Sequence, residues 1–237
     1  MPYNFLTLSL LFLLPGLFIY VARPDLRRLI GTTALLSLPF ATTEFLFYPT
    51  YWQPRTLFDL VPRIGFGIED LLFVAGLGML AAGVYPAVAG RRFLWPGGPR
   101  ALLARESLLR LGGLLGVTAI AVAAAALAGI PMIYAAPAIM LAAALFVCAR
   151  RRDLTLAALA GGALTLAVYT GLSLVFAWLI PGVFELDWNT DAFLNVFVLG
   201  IPVEELIYGF ASGLIGSVFV AYAVGGAFVR RSDAGWS

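Results

Sequence analysis

The sequence predicts an all-α polytopic membrane protein: seven transmembrane helices, arranged as two parallel three-helix repeats joined by a connector helix. Three observations predict it. Of the 237 residues, 62% are hydrophobic and 12% charged, against roughly 25% charged in an ordinary soluble domain, which excludes a soluble globular fold. The apolar residues run in stretches near the ~20 residues needed to cross a hydrocarbon core. The 15 basic residues, all Arg, fall mostly in alternate breaks between those stretches.

Cut at charged or Pro/Gly-marked breaks, the chain has spans near Asn4–Ala22, Leu29–Tyr48, Ile68–Gly90, Ser107–Ala128, Pro131–Cys148, Leu154–Ile180 and Pro202–Val229. The first has no basic residue before it and Arg23, Arg27 and Arg28 after it. That layout is wrong for a cleaved signal peptide and predicts a retained helix. The fourth and fifth are joined by a minimal Gly129-Ile130-Pro131 turn. The sixth is overlong and carries Gly161-Gly162, which predicts a tilt or a local break.

Arg23, Arg27 and Arg28, then Arg91, Arg92, Arg100 and Arg105, then Arg150, Arg151 and Arg152, and finally Arg230 and Arg231 mark one side of the membrane. Only Arg55 and Arg63 fall on the other. The positive-inside rule then predicts a multi-pass cell-membrane protein with its N-terminus outside and its C-terminus cytoplasmic, which requires an odd number of spans. The Arg clusters are read as topology determinants.

One internal offset lays Ile68-Glu69-Asp70-Leu71-Leu72-Phe73 on Val203-Glu204-Glu205-Leu206-Ile207-Tyr208. It also lays the first span on the fifth and the second on the sixth. The predicted organisation is therefore residues 1–92 as one three-helix repeat, 93–130 as a connector containing the fourth helix, and 131–237 as the second repeat. Three helices plus a connector return the chain to its starting side, so the repeats share an orientation and both acidic pairs open helices at the outer face.

The absence of His removes imidazole bases, His-dependent triads and imidazole metal sites. Cys148 is the single cysteine, and no metal site is expected. A net charge of +2 gives no nucleic-acid signature, and no dinucleotide fingerprint is present. Carboxylates, Tyr, Trp and hydroxyls remain for chemistry.

Glu69, Asp70, Glu204 and Glu205 stand out because intramembrane acids are costly and usually have a partner or a function. The plainer reading is that they cap helix N-termini, where the dipole favours negative charge. Adjacent helical residues point about 100° apart. Glu205 shares a face with Gly209 and Gly213, a small-residue seam expected to meet another helix. Glu204 has Tyr208 one turn below it and Glu69 has Phe73, rings suited either to packing or to stabilising a cation. Glu44 is expected to pair with Arg55 or Arg63 or to serve the site. Tyr51, Trp52 and Trp188, in the two long outer loops, are interfacial anchors by base rate and substrate contacts by the alternative reading.

These residues resemble the integral-membrane lycopene cyclase domain family of the heterodimeric bacterial and fused fungal or archaeal type. The resemblance rests on Pro202-Val203-Glu204-Glu205 preceded by Trp188-Asn189-Thr190-Asp191, and on a first copy, Gly67-Ile68-Glu69-Asp70, that follows Tyr51-Trp52. The first copy has Gly where the family has Pro, and Asp in the final place. The resemblance implies a seven-helix enzyme that cyclises the ends of a linear polyene, lycopene or a related carotenoid, to ionone-type rings within membrane lipid. It implies an isomerisation with no net redox change and no cofactor. Glu204 and Glu69 are the expected acid/base pair, with Glu205 and Asp70 orienting them. Phe73, Tyr208, Trp52, Trp188, Tyr51 and Glu44 are expected at the substrate. A transporter and a non-catalytic membrane subunit are the competing readings. A CAAX-protease-like protein fits poorly, since Tyr208 stands where that family has Arg and its metal-binding His are lacking.

Overall fold

A computed structural model describes residues 3–230; Arg231 lies outside the described residues. It has seven helical segments long and apolar enough to cross a membrane: Asn4–Ala22, Pro24–Leu46, Ile68–Val88, Arg105–Leu127, Met132–Arg150, Arg152–Leu179 and Val203–Val224. The protein is thus a multi-pass, predominantly helical membrane protein. Its α-helices are α1 (Asn4–Ala22), α2 (Arg27–Ser37), α3 (Leu60–Ile64), α4 (Ile68–Val88), α5 (Arg105–Leu127), α6 (Met132–Arg150), α7 (Thr155–Leu179), α8 (Val183–Asp187), α9 (Val203–Gly216) and α10 (Phe219–Val224). Four short strands, β1 (Arg91–Leu94), β2 (Phe197–Val198), β3 (Ile201–Pro202) and β4 (Ala227–Arg230), form two-stranded ribbons outside the spans.

The breaks fall elsewhere than expected. The Gly161-Gly162 pair does not interrupt α7, which is continuous. A Cβ on Gly161 would stand 1.8 Å from Ser217 Oγ, and one on Gly162 2.8 Å from Leu214 Cγ. The pair is there so that α9 can approach α7 closely, the usual use of small residues where lipid supplies no hydrophobic drive between helices. It is the second span that changes geometry: α2 passes at Leu38-Pro39 into a 3₁₀ segment, Leu38–Leu46, because a proline there removes a donor from the α-helical ladder. The seventh changes at Ser217-Val218, between α9 and α10.

α4 and α9 form the centre. Gly76 and Gly16 bring α4 and α1 together, where added Cβ atoms would meet Leu13 Cα at 2.7 Å and Met79 Cβ at 2.5 Å. Gly209 and Gly213 seat α9 on Tyr169 and Thr165 of α7, so the small-residue seam meets another helix as expected. The seam is tied by Ser217, whose hydroxyl lies 2.9 Å from Ala81 O of α4 and 2.7 Å from Gly213 O.

Each end of the bundle carries an antiparallel pairing. At one end β1 pairs with β4, Phe93 opposite Phe228, residues as far apart in sequence as Glu69 and Glu204. The guanidinium of Arg23 holds Asp25 and donates to Arg91 O at 2.7 Å, and Arg151 holds Asp153 and donates to Gly226 O at 2.9 Å. At the other end Trp52 bridges Trp188, with Gln53 N donating to Asp187 O and Asn189 N to Tyr51 O, both at 2.8 Å. The two long loops thereby close a roof over the helix starts that carry the acids.

Candidate functional site

Beneath the roof is a cavity of about 70 Å³ lined by three carboxyl groups, those of Glu44, Asp70 and Glu205, among the rings of Phe5, Phe47, Trp52, Phe73, Tyr169, Trp188 and Tyr208. Each carboxyl is brought there by a different device. Glu44 lies in the 3₁₀ segment, whose tighter winding turns it inward. It accepts Trp52 Nε1 at 2.7 Å and interacts with the Asp70 carboxyl, not with Arg55 or Arg63. The expected ion pair does not form, because the second span turns this side chain away from the loop arginines.

Asp70 is the third residue of α4 and caps it, one carboxyl oxygen accepting the Gly67 N–H at 2.6 Å. Helix capping and the cavity are therefore combined in one residue. Its group also interacts with that of Glu44. Two carboxyls that hydrogen-bond each other need a proton between them, since one of them has to be the donor.

Glu205 stands at the matching position of α9, but Pro202 precedes that helix and offers no N–H to cap. Its carboxyl turns instead into the cavity. Oε1 accepts Tyr51 OH at 3.0 Å and Trp188 Nε1 at 2.9 Å, and Oε2 accepts Tyr169 OH. Three donors on one carboxyl is an arrangement suited to a carboxylate. Tyr51 lies in the loop, where burial first and Glu205 second push its hydroxyl well above the usual tyrosine range, so it remains a donor.

Glu69 and Glu204, expected to face each other, line neither this cavity nor the apolar one described below. The physical reason is the 100° step between neighbours on a helix: once Asp70 and Glu205 face the interior, the residues before them face the loops. Glu69 Oε1 accepts Leu57 N at 2.5 Å and Glu204 Oε1 accepts Leu194 N at 3.1 Å. In each loop the next residue, Phe58 or Asn195, has a left-handed φ, 58° and 53°, a conformation costing about 1–2 kcal/mol for a non-glycine residue. The two acids hold these turns in place. Glu69 Oε2 is buried with no hydrogen-bond partner among the described residues.

Trp52 and Trp188 are 8% and 6% exposed, so they are not lipid-facing anchors. Their rings sit 5.1 Å apart and their indole N–H groups aim at Glu44 and Glu205. Phe73 packs on Phe12, and Tyr208 on Phe47. Tyr169 escaped the sequence reading. Its signal was present: Gly209 lies one turn beyond Glu205, and its missing side chain leaves room for the Tyr169 ring, 2.7 Å from an added Cβ.

The carboxyl cavity adjoins a second, of about 170 Å³, walled by α2 and its 3₁₀ extension, α4, α5, α6 and α9. Phe40, Thr43, Phe47, Val74 and Tyr208 line both. The larger cavity carries no charged side chain; its polar lining is Thr33, Ser37, Thr43, Thr118, Tyr208 and Ser212.

Fold and site together define an integral-membrane protein with an apolar chamber ending at a roofed cluster of carboxyls and aromatic rings. Residues 131–223 match the family model described as Lycopene cyclase, and the match supports a lycopene cyclase domain in that part of the chain and a carotenoid-cyclase-like function. No curated protein and no solved structure matches the chain.

Proposed function

We propose that the protein cyclises the ends of a linear C40 polyene, lycopene or a close relative, by proton-initiated ring closure. The observation that carries the reading is the adjacency of the two cavities, which share five lining residues: an apolar chamber lies beside three carboxyls ringed by aromatic side chains. The polyene lies in the chamber with one end under the roof. The Glu44–Asp70 pair, which shares a proton, donates it to the terminal double bond. The resulting tertiary cation is attacked by the internal double bond, closing a six-membered ring, and the Glu205 carboxylate removes a ring proton. One proton enters and one leaves, so the product is an isomer of the substrate. The faces of Phe73, Trp52, Trp188 and Tyr208 supply the cation–π attraction that a transient carbocation needs, and the roof keeps water from quenching it. Glu69 and Glu204 act here as positioning residues.

The reading takes residues 1–92 and 131–237 as like-oriented halves and 93–130 as their connector. The family match begins at residue 131, and matched positions pair at both ends of the bundle, Phe93 with Phe228 and, one residue out of step, Trp52 with Trp188; both facts support the division. The Arg-rich end is placed in the cytoplasm by the positive-inside rule.

The test is expression in bacteria that accumulate lycopene, with pigments resolved by chromatography. Ring-bearing products are expected. A wild-type protein that inserts well and leaves lycopene linear refutes the proposal. Reporter fusions in Pro49–Gly67 and in the loop before Pro202 check orientation, and a cytoplasmic signal from either reverses it.

A further inference from the structure

The apolar chamber is shorter than the substrate its chemistry calls for. Along α4 its lining runs from Val74 to Ala81, and along α6 from Met132 to Ala143, about 10 Å and about 16 Å at the α-helical rise. An extended C40 chain is about twice the longer of these, of the order of the whole ~30 Å hydrocarbon core. Half of the chain must lie elsewhere.

One wall has a gap where that half can leave. α5 is the least embedded of the seven spans, its most apolar window 11% buried against 28–61% for the others. Past its first turn only two of its residues, Leu114 and Ala125, are buried. Leu114 joins a core cluster that includes Leu29 and Ile30 of α2, and Ala125 joins one that takes in Leu46, Phe47 and Met132. Between them, residues 115–124 contain no buried side chain. Leu115, Thr118 and Val122 nevertheless line the chamber, opposite Thr33, Leu36, Ser37 and Phe40 of the second span. Phe40, which touches both cavities, is 37% exposed. The outer side of the same helix is empty: a Cβ on Gly116 would meet no atom within 4 Å.

We propose that the stretch between Leu114 and Ala125 of α5 and the Thr33–Phe40 edge of the second span frame a lateral window to the bilayer. The polyene enters through it end-first, and its distal half stays in lipid during the reaction. The inference rests on the cyclase reading and deepens it, because it names what the site recognises: the proximal half of a linear polyene, with the distal end unread. A chain already ringed at its far end is as good a substrate as a fully linear one, and the two ends are processed in separate visits.

The experiment uses the full chain in proteoliposomes and three polyenes sharing one linear end: fully linear C40, C40 already ringed at the far end, and a short linear polyene that fits inside the chamber. The wild type is expected to turn over the first two at rates within about threefold of each other. Thr118→Cys in a Cys148→Ala background is folded first and then labelled with a bulky maleimide. Labelling is expected to slow both C40 substrates by about tenfold or more while sparing the short polyene, whereas the same label on Gly116→Cys changes nothing. Rejection of the far-end-ringed chain by the wild type, or unchanged C40 turnover after labelling Cys-substituted Thr118, overturns the window while leaving the cyclase reading intact. A wild type that cyclises none of the three overturns both.

Discussion

The site separates two adjacent glutamates, and the sharpest test compares Glu205→Gln with Glu204→Gln. Glutamine keeps the shape of either side chain. At position 205 it removes the charge that meets Tyr51, Tyr169 and Trp188. Hydrogen bonds to a charged group are worth about 1.5–3 kcal/mol each and neutral ones about 0.5–1.5, so three bonds lose roughly 3 kcal/mol between them. Removing a buried charge returns several kcal/mol of desolvation, so fold stability stays near that of the wild type. Activity does not. Loss of a general base costs about 10²–10⁴-fold, or roughly 3–5 kcal/mol of barrier. At position 204 the amide oxygen still accepts the Leu194 N–H, and turnover stays within about threefold of wild type. The assay is initial-rate product formation in membranes normalised to inserted protein, alongside thermal unfolding in detergent. Full activity in Glu205→Gln, or a collapse of activity in a stably folded Glu204→Gln, refutes the assignment of Glu205 to the cavity chemistry and of Glu204 to the loop.

Three further outcomes follow from the same geometry. Glu44→Gln and Asp70→Asn each break one shared-proton pair, so each costs about 10²-fold or more and the double variant little beyond either single one; additive losses in the same product assay separate the two residues. Gly161→Ala drives a methyl into Ser217, whose hydroxyl ties α9 to α4, and is expected to cost about 1–3 kcal/mol, seen as a lowered Tm in detergent; an unchanged Tm rejects the close-packing role. Asp187, in the roof, has its carboxyl pushed above the usual range by burial, with the Asn4 hydrogen bond opposing. A raised folded-state value means the ionised form is disfavoured in the fold, so the destabilisation of the roof by Asp187 sets in above the unfolded value of about 4 and is complete above the raised folded one. Asp187→Asn is thus expected to raise Tm at neutral pH, with the gain vanishing below about pH 4, and a gain independent of pH contradicts the burial argument.

The helices were legible because lipid imposes a simple rule: backbone groups must be satisfied within the span, and charges retreat to the breaks. Five of the seven spans sit within two residues of their apolar stretches, and the second begins five residues earlier, at Pro24. The seventh is shorter than its stretch, ending at Val224, because the last apolar residues, Ala227–Arg230, pair with Arg91–Leu94 as a ribbon. That pairing joins residues far apart in the chain, and an apolar run does not distinguish a helix end from a strand. The Gly161-Gly162 pair predicts a tilt or break and makes a close helix contact instead. A glycine pair reads as a break in isolation and as a contact surface once a neighbour is known.

The site was legible in its membership more than in its roles. Glu44, Asp70, Glu205, Phe73, Tyr51, Trp52, Trp188 and Tyr208 converge on one cavity, while Glu69 and Glu204 face the loops. Which member of an acidic pair looks inward depends on the phase of the helix, and that phase is set by where the roof loops dock. The loop turns that consume Glu69 and Glu204 have no apolar periodicity to announce them. Tyr169 was hidden differently, as one hydroxyl in the middle of an otherwise ordinary apolar span.

A proton-driven cyclisation, the reaction proposed above, needs one carboxyl that gives a proton and another that takes one, yet the matched acidic pairs at the starts of α4 and α9 would by themselves make two like sites. Two differences between them set the sites apart. At the start of α4, Gly67 offers an N–H, and Asp70 is drawn back to cap it; at the start of α9, Pro202 offers none, and the longer Glu205 is free to meet three donors. The second span contributes Glu44 beside Asp70, whereas α7 has no acid within it and contributes Tyr169 beside Glu205. One carboxyl is thereby paired with another acid and the other with hydroxyl and indole donors. In the proposed mechanism the Gly67 and Asp70 departures from the family motif, which look like erosion when the sequence is compared by letter, are what divides acid from base. Gly67→Pro should then release Asp70 from its cap. In the pigment assay it is expected to lower turnover through the Glu44–Asp70 pair while leaving the Glu205 arrangement intact, and full activity in a folded Gly67→Pro protein would show that the asymmetry has no catalytic consequence.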